Sequence, residues 1–406
     1  MTYRECLEWL YAQLPMYQRV GQSAYKADLK STEELMEVLG HPESKFMSVH
    51  IAGTNGKGSV AHMLAAVFQQ SGYKTGLYTS PHLKDFRERV RINGKMISED
   101  AVLEFVETNK EEFEKIGLSF FEMTVGLAYD YFAKEKVDIA IVEVGMGGRL
   151  DSTNVITPEL SIITNISLDH TQFLGHTEAL IAREKAGIIK PGVPTVIGEK
   201  HEDTTPVFIE VAREKEAPLI FAEEQISLRE IRNLDLGGKY QERNMRTTAA
   251  AIHELEKLGY EFRQVEEALA DMKNLTGLRG RWEILGDRPK IIADTAHNEA
   301  GISVVLDQLK RESYRQLHII FGTVSDKNLS AILRMLPKAA IYYFCKPDLP
   351  RGKDAEELKS EALRFGLSGK TYPSVRAALD AAIKHTLADD LIYVGGSNFV
   401  VAEVLE

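Results

Sequence analysis

Short apolar runs alternate with amphipathic segments along most of the chain, beginning near residue 46. Such runs are typical of buried strands, and the segments between them repeat apolar residues at the spacing of one helix face. The predicted strands of this first series are residues 46–51, 74–79, 137–143, 160–165 and 194–197, together with 87–92 before an Asn-Gly turn signal. The predicted helices are residues 3–14, 31–39, 59–71, 98–115, 121–135, 177–188, 241–258 and 262–271. This alternation predicts a mostly parallel sheet with helices on both faces.

A second alternating series begins near residue 290 and predicts a smaller α/β domain. Its predicted strands are residues 290–294, 317–321, 340–344 and 390–394. Its predicted helices are residues 298–311, 353–365, 373–386 and 397–405. Glycine and proline cluster just before this series, which is typical of a join between domains. We therefore predict one domain over residues 1–285 and another over residues 286–406.

Composition limits the classes of protein that fit this chain. The 406 residues carry a net charge of −11, which argues against a general surface for nucleic acid or an anionic membrane but allows a local basic pocket. The chain has no apolar run of about 18 residues that would span a membrane, and its beginning predicts no signal peptide. Cys6 and Cys345 are expected to be reduced thiols, as in a cytoplasmic protein.

The segment from Gly53 to Ser59 carries the clearest chemical signal in the chain. It reads Gly-Thr-Asn-Gly-Lys-Gly-Ser between a predicted strand and a predicted helix. Glycines let backbone N–H groups point at an anion, the helix N-terminus adds partial positive charge, and Lys57 supplies a full charge. Ser59 is placed to touch the metal that accompanies ATP. We predict a phosphate-binding loop (P-loop) on the mostly parallel sheet of an ATPase domain, followed by a smaller Rossmann-like α/β domain.

Polar residues follow several predicted strands, at the edge where open α/β sheets bind ligands. Glu143 ends the strand 137–143, where it either holds Mg²⁺ opposite the P-loop or is an acid solvated at a strand end. His170 and Ser80 also follow predicted strands, with a surface histidine and a turn serine as the alternatives. Lys185 lies in a predicted helix, where lysine is normally solvated.

Another polar group lies near the predicted domain join. Asp294, His297 and Asn298 end the first strand of the second series, where they either cap the next helix, with Asn298 as N-cap, or face a nucleotide. Arg281 precedes them and offers a guanidinium of the kind that stabilises phosphoryl transfer.

Six motifs in order resemble those of folylpolyglutamate synthase and dihydrofolate synthase, which belong to the Mur-type ATP-dependent amide ligases. The short glycine spacing of the P-loop is the spacing that this family uses. The motifs are HIAGTNGKGS at 50–59, YTSPHL at 78–83, EVGMGGRLD at 143–151, DH at 169–170, REKAG at 183–187 and DTAHN at 294–298. The resemblance covers nearly the whole chain. It implies a folylpolyglutamate synthase that is bifunctional with dihydrofolate synthase. In the implied reaction, ATP converts the γ-carboxylate of tetrahydrofolate or the carboxylate of dihydropteroate into an acyl phosphate, which the amine of L-glutamate then attacks.

The resemblance also implies roles for single residues. It implies ATP contacts at Thr54, Asn55, Gly56, Lys57, Gly58, Ser59, Asn244, Arg281 and Asp294. It implies Mg²⁺ ligands, in two sites, among Ser59, Ser80, Glu143 and His170. The catalytic residues that it implies are Lys57, Glu143, His170, Lys185 and His297, the last on the glutamate side. The lysine that matches Lys185 is often carbamylated in this family, which turns the amine into an anion.

The acceptor end of the site is assigned to two segments. The resemblance implies substrate contacts at Ser119, Phe120, Phe121 and Glu122 and at Leu150, Asp151 and Ser152. Phe120 and Phe121 fit either the core at a helix start or an aromatic slot for a pterin.

Several alternatives stay open on the sequence. The chain could be a dihydrofolate synthase alone or a Mur-type ligase for a non-folate acceptor. A nucleotide switch would need an Asn-Lys-x-Asp motif, which the nearest string, Ser325-Asp326-Lys327-Asn328, does not match. A P-loop kinase would leave a stable phosphorylated product without glutamate. The stretch before the P-loop is too short for the UDP-sugar domain of cell-wall ligases, and the family suggests a monomer.

Overall fold

The computed structural model describes residues 1–13, 28–225, 237–238, 240–325 and 329–405. The chain divides into two units, the first formed by residues 1–235 and 241–277 and the second by residues 236–240 and 278–406. The predicted boundary after residue 285 falls inside the second unit. The string considered above for a nucleotide switch lies mostly outside the described residues, because 326–328 are not among them.

In the part of the chain that the structure describes, eight strands form the sheet of the first unit. They are β1 (Met47–Ala52), β2 (Thr75–Tyr78), β3 (Val90–Ile92), β4 (Lys95–Met96), β5 (Ile139–Glu143), β6 (Leu160–Ile163), β7 (Thr195–Ile197) and β8 (Leu219–Phe221). Their order is β4-β3-β2-β5-β1-β6-β7-β8. β3 pairs antiparallel with both β2 and β4 at one edge, and the remaining pairs are parallel, so the predicted mostly parallel sheet is confirmed.

The centre of this sheet is apolar on both faces. Every residue of β5 is buried, and β1 exposes only its first residue, Met47. A strand covered by helices on both faces needs no polar side, which explains the continuous apolar run in the sequence. The Ile51–Glu143 register of β1 and β5 brings the P-loop and Glu143 to the same edge.

Helices cover this sheet. They are α1 (Tyr3–Ala12), α2 (Lys30–Val38), α3 (Lys57–Gln70), α4 (Glu99–Ile116), α5 (Phe120–Glu135), α6 (Thr171–Leu174), α7 (Glu178–Ala186), α8 (Thr205–Glu214), α9 (Gln241–Lys257), α10 (Val265–Ala270) and α11 (Met272–Thr276). α3 is buried from Gly58 to Phe68, and α9, α10 and α11 pack against it.

The second unit has a six-stranded sheet of its own. Its strands are β9 (Glu283–Asp287), β10 (Lys290–Ala293), β11 (Leu317–Phe321), β12 (Ile341–Cys345), β13 (Gly369–Tyr372) and β14 (Leu391–Gly395). Their order is β13-β12-β11-β14-β10-β9, with only β9 antiparallel. The helices are α12 (Glu299–Leu309), α13 (Ser330–Met335), α14 (Ala355–Leu363), α15 (Val375–His385) and α16 (Asn398–Ala402). The predicted smaller α/β unit is thus confirmed.

Local hydrogen bonds explain where the structure departs from the predicted elements. Residues 87–92 are only half strand, because a 3₁₀ helix at Phe86–Arg89 precedes β3. Asp85 caps that helix by accepting from the Arg87 N–H, and Glu88 accepts from the Asp85 N–H in return. The predicted helix 262–271 is shorter, since α10 begins only after Gln264, which has a left-handed φ of 53°.

Among the described residues, four strands and four helices were not predicted. The strands are β4, β8, β9 and β13, and the helices are α6, α8, α11 and α13. The four strands are short and are exposed or only partly buried, so their sequences lack the continuous apolar run that marks the central strands.

The predictions about the two cysteines and about membrane-spanning segments can be compared with the structure. Cys6 and Cys345 are both buried and unpaired, as expected of reduced thiols. Among the helices that the structure describes, none is long and apolar enough to cross a membrane.

Gly94 provides a test of the turn between β3 and β4. Its φ is +74°, and a Cβ there would lie 2.0 Å from the carbonyl oxygen of Leu275. We expect Gly94→Ala to lower the free energy of unfolding by about 2–4 kcal/mol, because a backbone clash adds to the left-handed strain. The matched control is Gly72→Ala, since Gly72 has φ +94° and open space around a Cβ. We expect that variant to lose about 1 kcal/mol. Urea denaturation measures both losses, and equal losses would show that the turn accommodates the methyl group.

Candidate active site

The P-loop runs from the end of β1 to the start of α3 and needs glycine at two positions. Gly53 has φ 146° and Gly56 has φ 85°. A Cβ on Gly53 would lie 1.9 Å from Oγ1 of Thr164, and one on Gly56 would lie 2.2 Å from Oδ1 of Asn244. The loop backbone is therefore pressed against neighbouring side chains, which keeps its N–H groups in one arrangement.

The segment that follows β6 anchors the loop. The Thr54 hydroxyl accepts from the Ser167 N–H at 3.0 Å, and the Asn55 N–H donates to Oδ1 of Asn165 at 2.9 Å. The Thr164 hydroxyl donates to the Asn55 carbonyl at 2.6 Å. Thr54 and Asn55, predicted as ATP contacts, thus also hold the loop to its neighbouring strand.

Two lysines converge on one backbone oxygen of the loop. Nζ of Lys57 donates to the Gly53 carbonyl at 3.0 Å, and Nζ of Lys185 donates to the same oxygen at 2.8 Å. Lys185 is buried, and burial together with the positive charge of Lys57 lowers its pKa to about 7. Lys185 is therefore not on a solvated helix face. Two ammonium groups beside a loop that offers backbone N–H groups suit a site for phosphate.

Glu143 and Ser80 meet beside the P-loop. Glu143 ends β5, is buried, and accepts from the Ser80 N–H at 3.2 Å. A Cβ on Gly58 would lie only 3.6 Å from the same carboxylate oxygen. Carboxylate and hydroxyl oxygens are the protein ligands that Mg²⁺ prefers, so this junction fits that ion.

His170 lies farther along the same edge, after β6. Its backbone is left-handed, with φ 50°, and its side chain is 45% exposed. Its Nε2 atom lies 4.0 Å from Oδ1 of Asp169. The structure thus brings Ser80 and Glu143 into contact, and it shows His170 beside Asp169.

Gln241, at the start of α9, is a site residue that sequence reasoning missed. Its Nε2 donates to the Ser59 hydroxyl at 3.3 Å, and its Oε1 accepts from Nδ2 of Asn244 at 2.7 Å. Ser59 and Asn244 are buried, and Asn244 also faces Gly56. The signal for Gln241 was its position one helical turn before Asn244, on the same face.

The predicted acceptor segment 119–122 begins α5. Ser119 is the N-cap, since its hydroxyl accepts from the Glu122 N–H while Glu122 accepts from the Ser119 N–H at 2.6 Å. The polar side chains of Ser119 and Glu122 are therefore engaged in a capping box. Phe120 is buried and stacks on Tyr11, whereas Phe121 is half-buried.

The second acceptor segment lies beside Phe121. Asp151 is buried, and it accepts from the N–H groups of Met146 at 2.8 Å and Thr153 at 3.0 Å. Burial raises its pKa. A Cβ on Gly145 would lie 2.4 Å from Cζ of Phe121 and 3.2 Å from Oδ2 of Asp151, so both segments meet at this glycine. Leu150 and Ser152 flank Asp151 in the sequence; Leu150 is half-buried, and Ser152 is buried.

Asp294 organises the predicted site residues of the second unit. It is buried, and its Oδ2 accepts from the Tyr240 hydroxyl and the Trp282 N–H, each at 2.8 Å. Its Oδ1 accepts from the Ala296 N–H at 2.8 Å. A carboxylate with three internal donors holds its own loop in place, which the sequence did not indicate.

The neighbours of Asp294 are arranged around the start of α12. Nδ1 of His297 lies 3.0 Å from the Thr295 carbonyl oxygen. Asn298 is the N-cap, because its Oδ1 accepts from the Gly301 N–H at 2.8 Å, as one of the two readings predicted. Arg281 is half-buried two residues before β9.

The chain matches two families of the Mur ligases. Residues 51–256 match the Mur ligase middle domain, and residues 280–398 match the Mur ligase glutamate ligase domain. The probable bifunctional folylpolyglutamate synthase/dihydropteroate synthase of Haloferax volcanii is 34% identical over 99% of this chain and 50% of its own length. The chain thus spans about half the length of that relative. The folylpolyglutamate synthase of Lacticaseibacillus casei is 32% identical over 100% of this chain and 98% of its own.

Solved structures agree with these relatives. Escherichia coli FolC in complex with DHPP and ADP is 30% identical, with a TM-score of 0.85 over 98% of this chain and 96% of that one. A bifunctional folylpolyglutamate synthase/dihydrofolate synthase with Mn, AMPPNP and L-glutamate bound is 28% identical, with a TM-score of 0.85 over 100% and 97%. The chain belongs to the folylpolyglutamate synthase/dihydrofolate synthase family of Mur-type ATP-dependent ligases.

Proposed function

We propose that this protein is an ATP-dependent ligase that joins L-glutamate to a carboxylate of tetrahydrofolate, of dihydropteroate or of both. The observation that carries the proposal is the junction of the P-loop, Ser80 and Glu143 at the carboxyl ends of β1, β2 and β5. This edge offers N–H groups and ammonium groups for phosphate and oxygen atoms for a divalent metal, which phosphoryl transfer requires.

The bound molecules of the relatives support the same substrates. One FolC structure holds DHPP and ADP, and another family structure holds Mn, AMPPNP and L-glutamate. The names of the relatives include folylpolyglutamate synthase and dihydrofolate synthase. A dihydrofolate synthase alone and a Mur-type ligase for a non-folate acceptor remain the alternatives that an acceptor assay separates.

The proposed reaction has two steps. The acceptor carboxylate attacks the γ-phosphorus of ATP, which gives an acyl phosphate and ADP. The neutral amine of L-glutamate then attacks the acyl carbon, phosphate leaves, and the amine loses a proton as the amide forms. The first step is needed because a free carboxylate has no leaving group that an amine can displace.

The P-loop side of the site would bind the nucleotide. We propose that Lys57 exchanges its loop carbonyls for the β- and γ-phosphate oxygens, with the backbone of 54–59 around them. Asn244 would contact the nucleotide from α9, held by Gln241. We further propose that Arg281 contacts ATP, that Asp294 contributes by shaping its own loop, and that His297 serves the glutamate side.

Four residues would hold Mg²⁺, and we propose two sites for it. They are Ser59, Ser80, Glu143 and His170. Their hydroxyl, carboxylate and imidazole groups fit this use, and Glu143 is already beside Ser80. When bound, the ion supplies positive charge that offsets the charge of the transferred phosphoryl group.

The acceptor would lie along the segments that meet at Gly145. Phe121 offers a half-buried ring for a pterin, with Phe120 packed behind it, and Leu150 and Ser152 flank Asp151. Ser119 and Glu122 contribute by capping α5 and thereby fixing the position of Phe121.

We further propose a carbamylated Lys185. The lowered pKa leaves much of its amine neutral near pH 7, and a neutral amine adds CO₂ to give a carbamate and a proton. The product is an anion, which Lys57 and a nearby metal would stabilise. We also propose a cytoplasmic monomer without nucleic-acid or membrane partners, which the two free cysteines and the net charge of −11 support.

Ligation can be measured directly as ADP release. With ATP and Mg²⁺, we expect release only when an acceptor and L-glutamate are both present, in side-by-side assays with dihydropteroate and tetrahydrofolate. Lys57→Ala should lower kcat about 10²- to 10³-fold, because it removes a charge that stabilises the transferred phosphoryl group.

The matched control is Lys115→Ala, which changes an exposed lysine of α4 and should keep full activity. Circular dichroism should show both variants folded. Full activity of Lys57→Ala, or a lasting phosphorylated product without glutamate, would contradict the proposal.

Carbamylation can be followed by ¹³C NMR under ¹³CO₂ at constant partial pressure. In the fold the Lys185 amine becomes neutral above a pKa of about 7, whereas an ordinary lysine stays charged up to about 10.4. We therefore expect a carbamate signal that grows between pH 6 and 8. Lys185→Met should remove that signal, and Lys115→Met should keep it. A spectrum identical in wild type and Lys185→Met would rule the modification out.

A further inference from the structure

Arg89 is a buried cation with a neutral hydrogen-bond partner. The residue is 7% exposed, and its Nε donates to Nδ1 of His82 at 2.8 Å. Because Nδ1 of His82 accepts this bond, it carries no proton, and the imidazole is uncharged.

The guanidinium lies over one aromatic ring and beside His82, and further rings pack against these two; we call this cluster the Arg89 box. Its members besides Arg89 are Tyr11, His82, Phe86 and Phe120. The guanidinium carbon lies 5.2 Å from the centre of the Phe120 ring, and Tyr11 stacks on that ring at 5.4 Å. Aromatic faces stabilise a cation, but they add no negative charge that would neutralise it.

The missing counter-charge distinguishes Arg89 from its neighbour Arg87. Arg87 pairs with Asp85 at 2.6 Å and Glu99 at 3.6 Å. Among the residues that the structure describes, no carboxylate lies within ion-pair distance of Arg89. A buried charge without a partner is destabilising, which favours binding of an anion at that place.

Glu143 is a carboxylate that acts on Arg89 from farther away. In the proposed function Glu143 holds a divalent cation, and that cation would neutralise its charge. The guanidinium would then have still less compensation in the loaded site. An anionic group of the acceptor substrate would supply the negative charge that Arg89 lacks.

We propose that Arg89 binds a carboxylate group of the acceptor substrate. The inference rests on the proposed function, in which the acceptor lies along Phe121 with Phe120 packed behind that ring. A planar guanidinium can bind both oxygens of a carboxylate at once, which fixes the orientation of that group. His82 belongs to the segment that follows Ser80, so the box joins the proposed metal site to the acceptor segment.

Two carboxylates of the acceptors fit this chemistry. Dihydropteroate has one carboxylate, which reacts, whereas tetrahydrofolate also has an α-carboxylate that does not react. A binding comparison distinguishes these two carboxylates. Dihydropteroate is compared with its carboxamide, and tetrahydrofolate is compared with its α-carboxamide, since each amide lacks the negative charge in question. Equilibrium binding by fluorescence needs no catalytic turnover.

We expect wild-type protein to bind at least one acid about 10- to 100-fold more tightly than its amide, as a charge-assisted hydrogen-bond pair predicts. In Arg89→Met the ratio of the amide Kd to the acid Kd should fall to near one, and in Arg89→Lys part of the preference for the acid should be kept. If Arg89→Met loses the preference for dihydropteroate over its carboxamide, Arg89 binds the reacting carboxylate. If it loses only the preference for tetrahydrofolate over its α-carboxamide, Arg89 binds the α-carboxylate.

The matched control is Arg91→Met, which changes a half-buried arginine that donates to the Gly94 carbonyl and should keep the preference. Equal weakening of acid and amide in Arg89→Met would reveal a packing role and overturn the proposal. A wild type without preference for either acid would overturn it even if Arg89→Met fails to fold. Failure of the proposed function is separate, because it appears as wild-type protein that releases no ADP.

Discussion

The contact between Gly53 and Thr164 is the constraint on which the candidate site depends. The loop backbone approaches this side chain so closely that a Cβ would overlap its hydroxyl at 1.9 Å. Because the loop is held there, the Gly53 carbonyl faces both Lys57 and Lys185. One backbone oxygen therefore connects β1, α3 and α7, and the P-loop, the adjoining strand and the buried lysine keep a common geometry.

Buried charges around this edge differ in how well the protein compensates them. Asp151 and Asp294 accept several N–H or O–H groups and hold loops in place. Lys185 and Arg89 have fewer compensating groups. Lys185 donates to a backbone oxygen, and Arg89 lies among neutral rings. Poorly compensated charges are where binding or reaction lowers the free energy most. The proposed roles of Lys185 and Arg89 follow from this difference.

Sequence patterns predicted the central strands well, because burial on both faces leaves a continuous apolar run, as in β5. They also indicated the P-loop and Glu143 at strand ends, whereas only the family resemblance singled out Lys185, because its place in a helix suggested a solvated side chain. They missed the edge strand β13, which is partly exposed, and Gln241, whose role depends on contacts with Ser59 and Asn244. The capping role of Glu122 was likewise hidden, although the Ser-x-x-Glu spacing could have indicated it.

The sequence by itself determined the alternation of elements, the glycines of the P-loop and the family motifs, because periodicity and turn chemistry act over a few neighbouring residues. Only the tertiary structure decided that Ser80 lies against Glu143, that Lys185 reaches Gly53, and that Arg89 lies over Phe120. The physical reason is the strand order β2-β5-β1-β6, which joins segments that are distant in the chain. Hydrophobic pattern sets which strands are buried, but the packing of side chains sets which buried strands become neighbours.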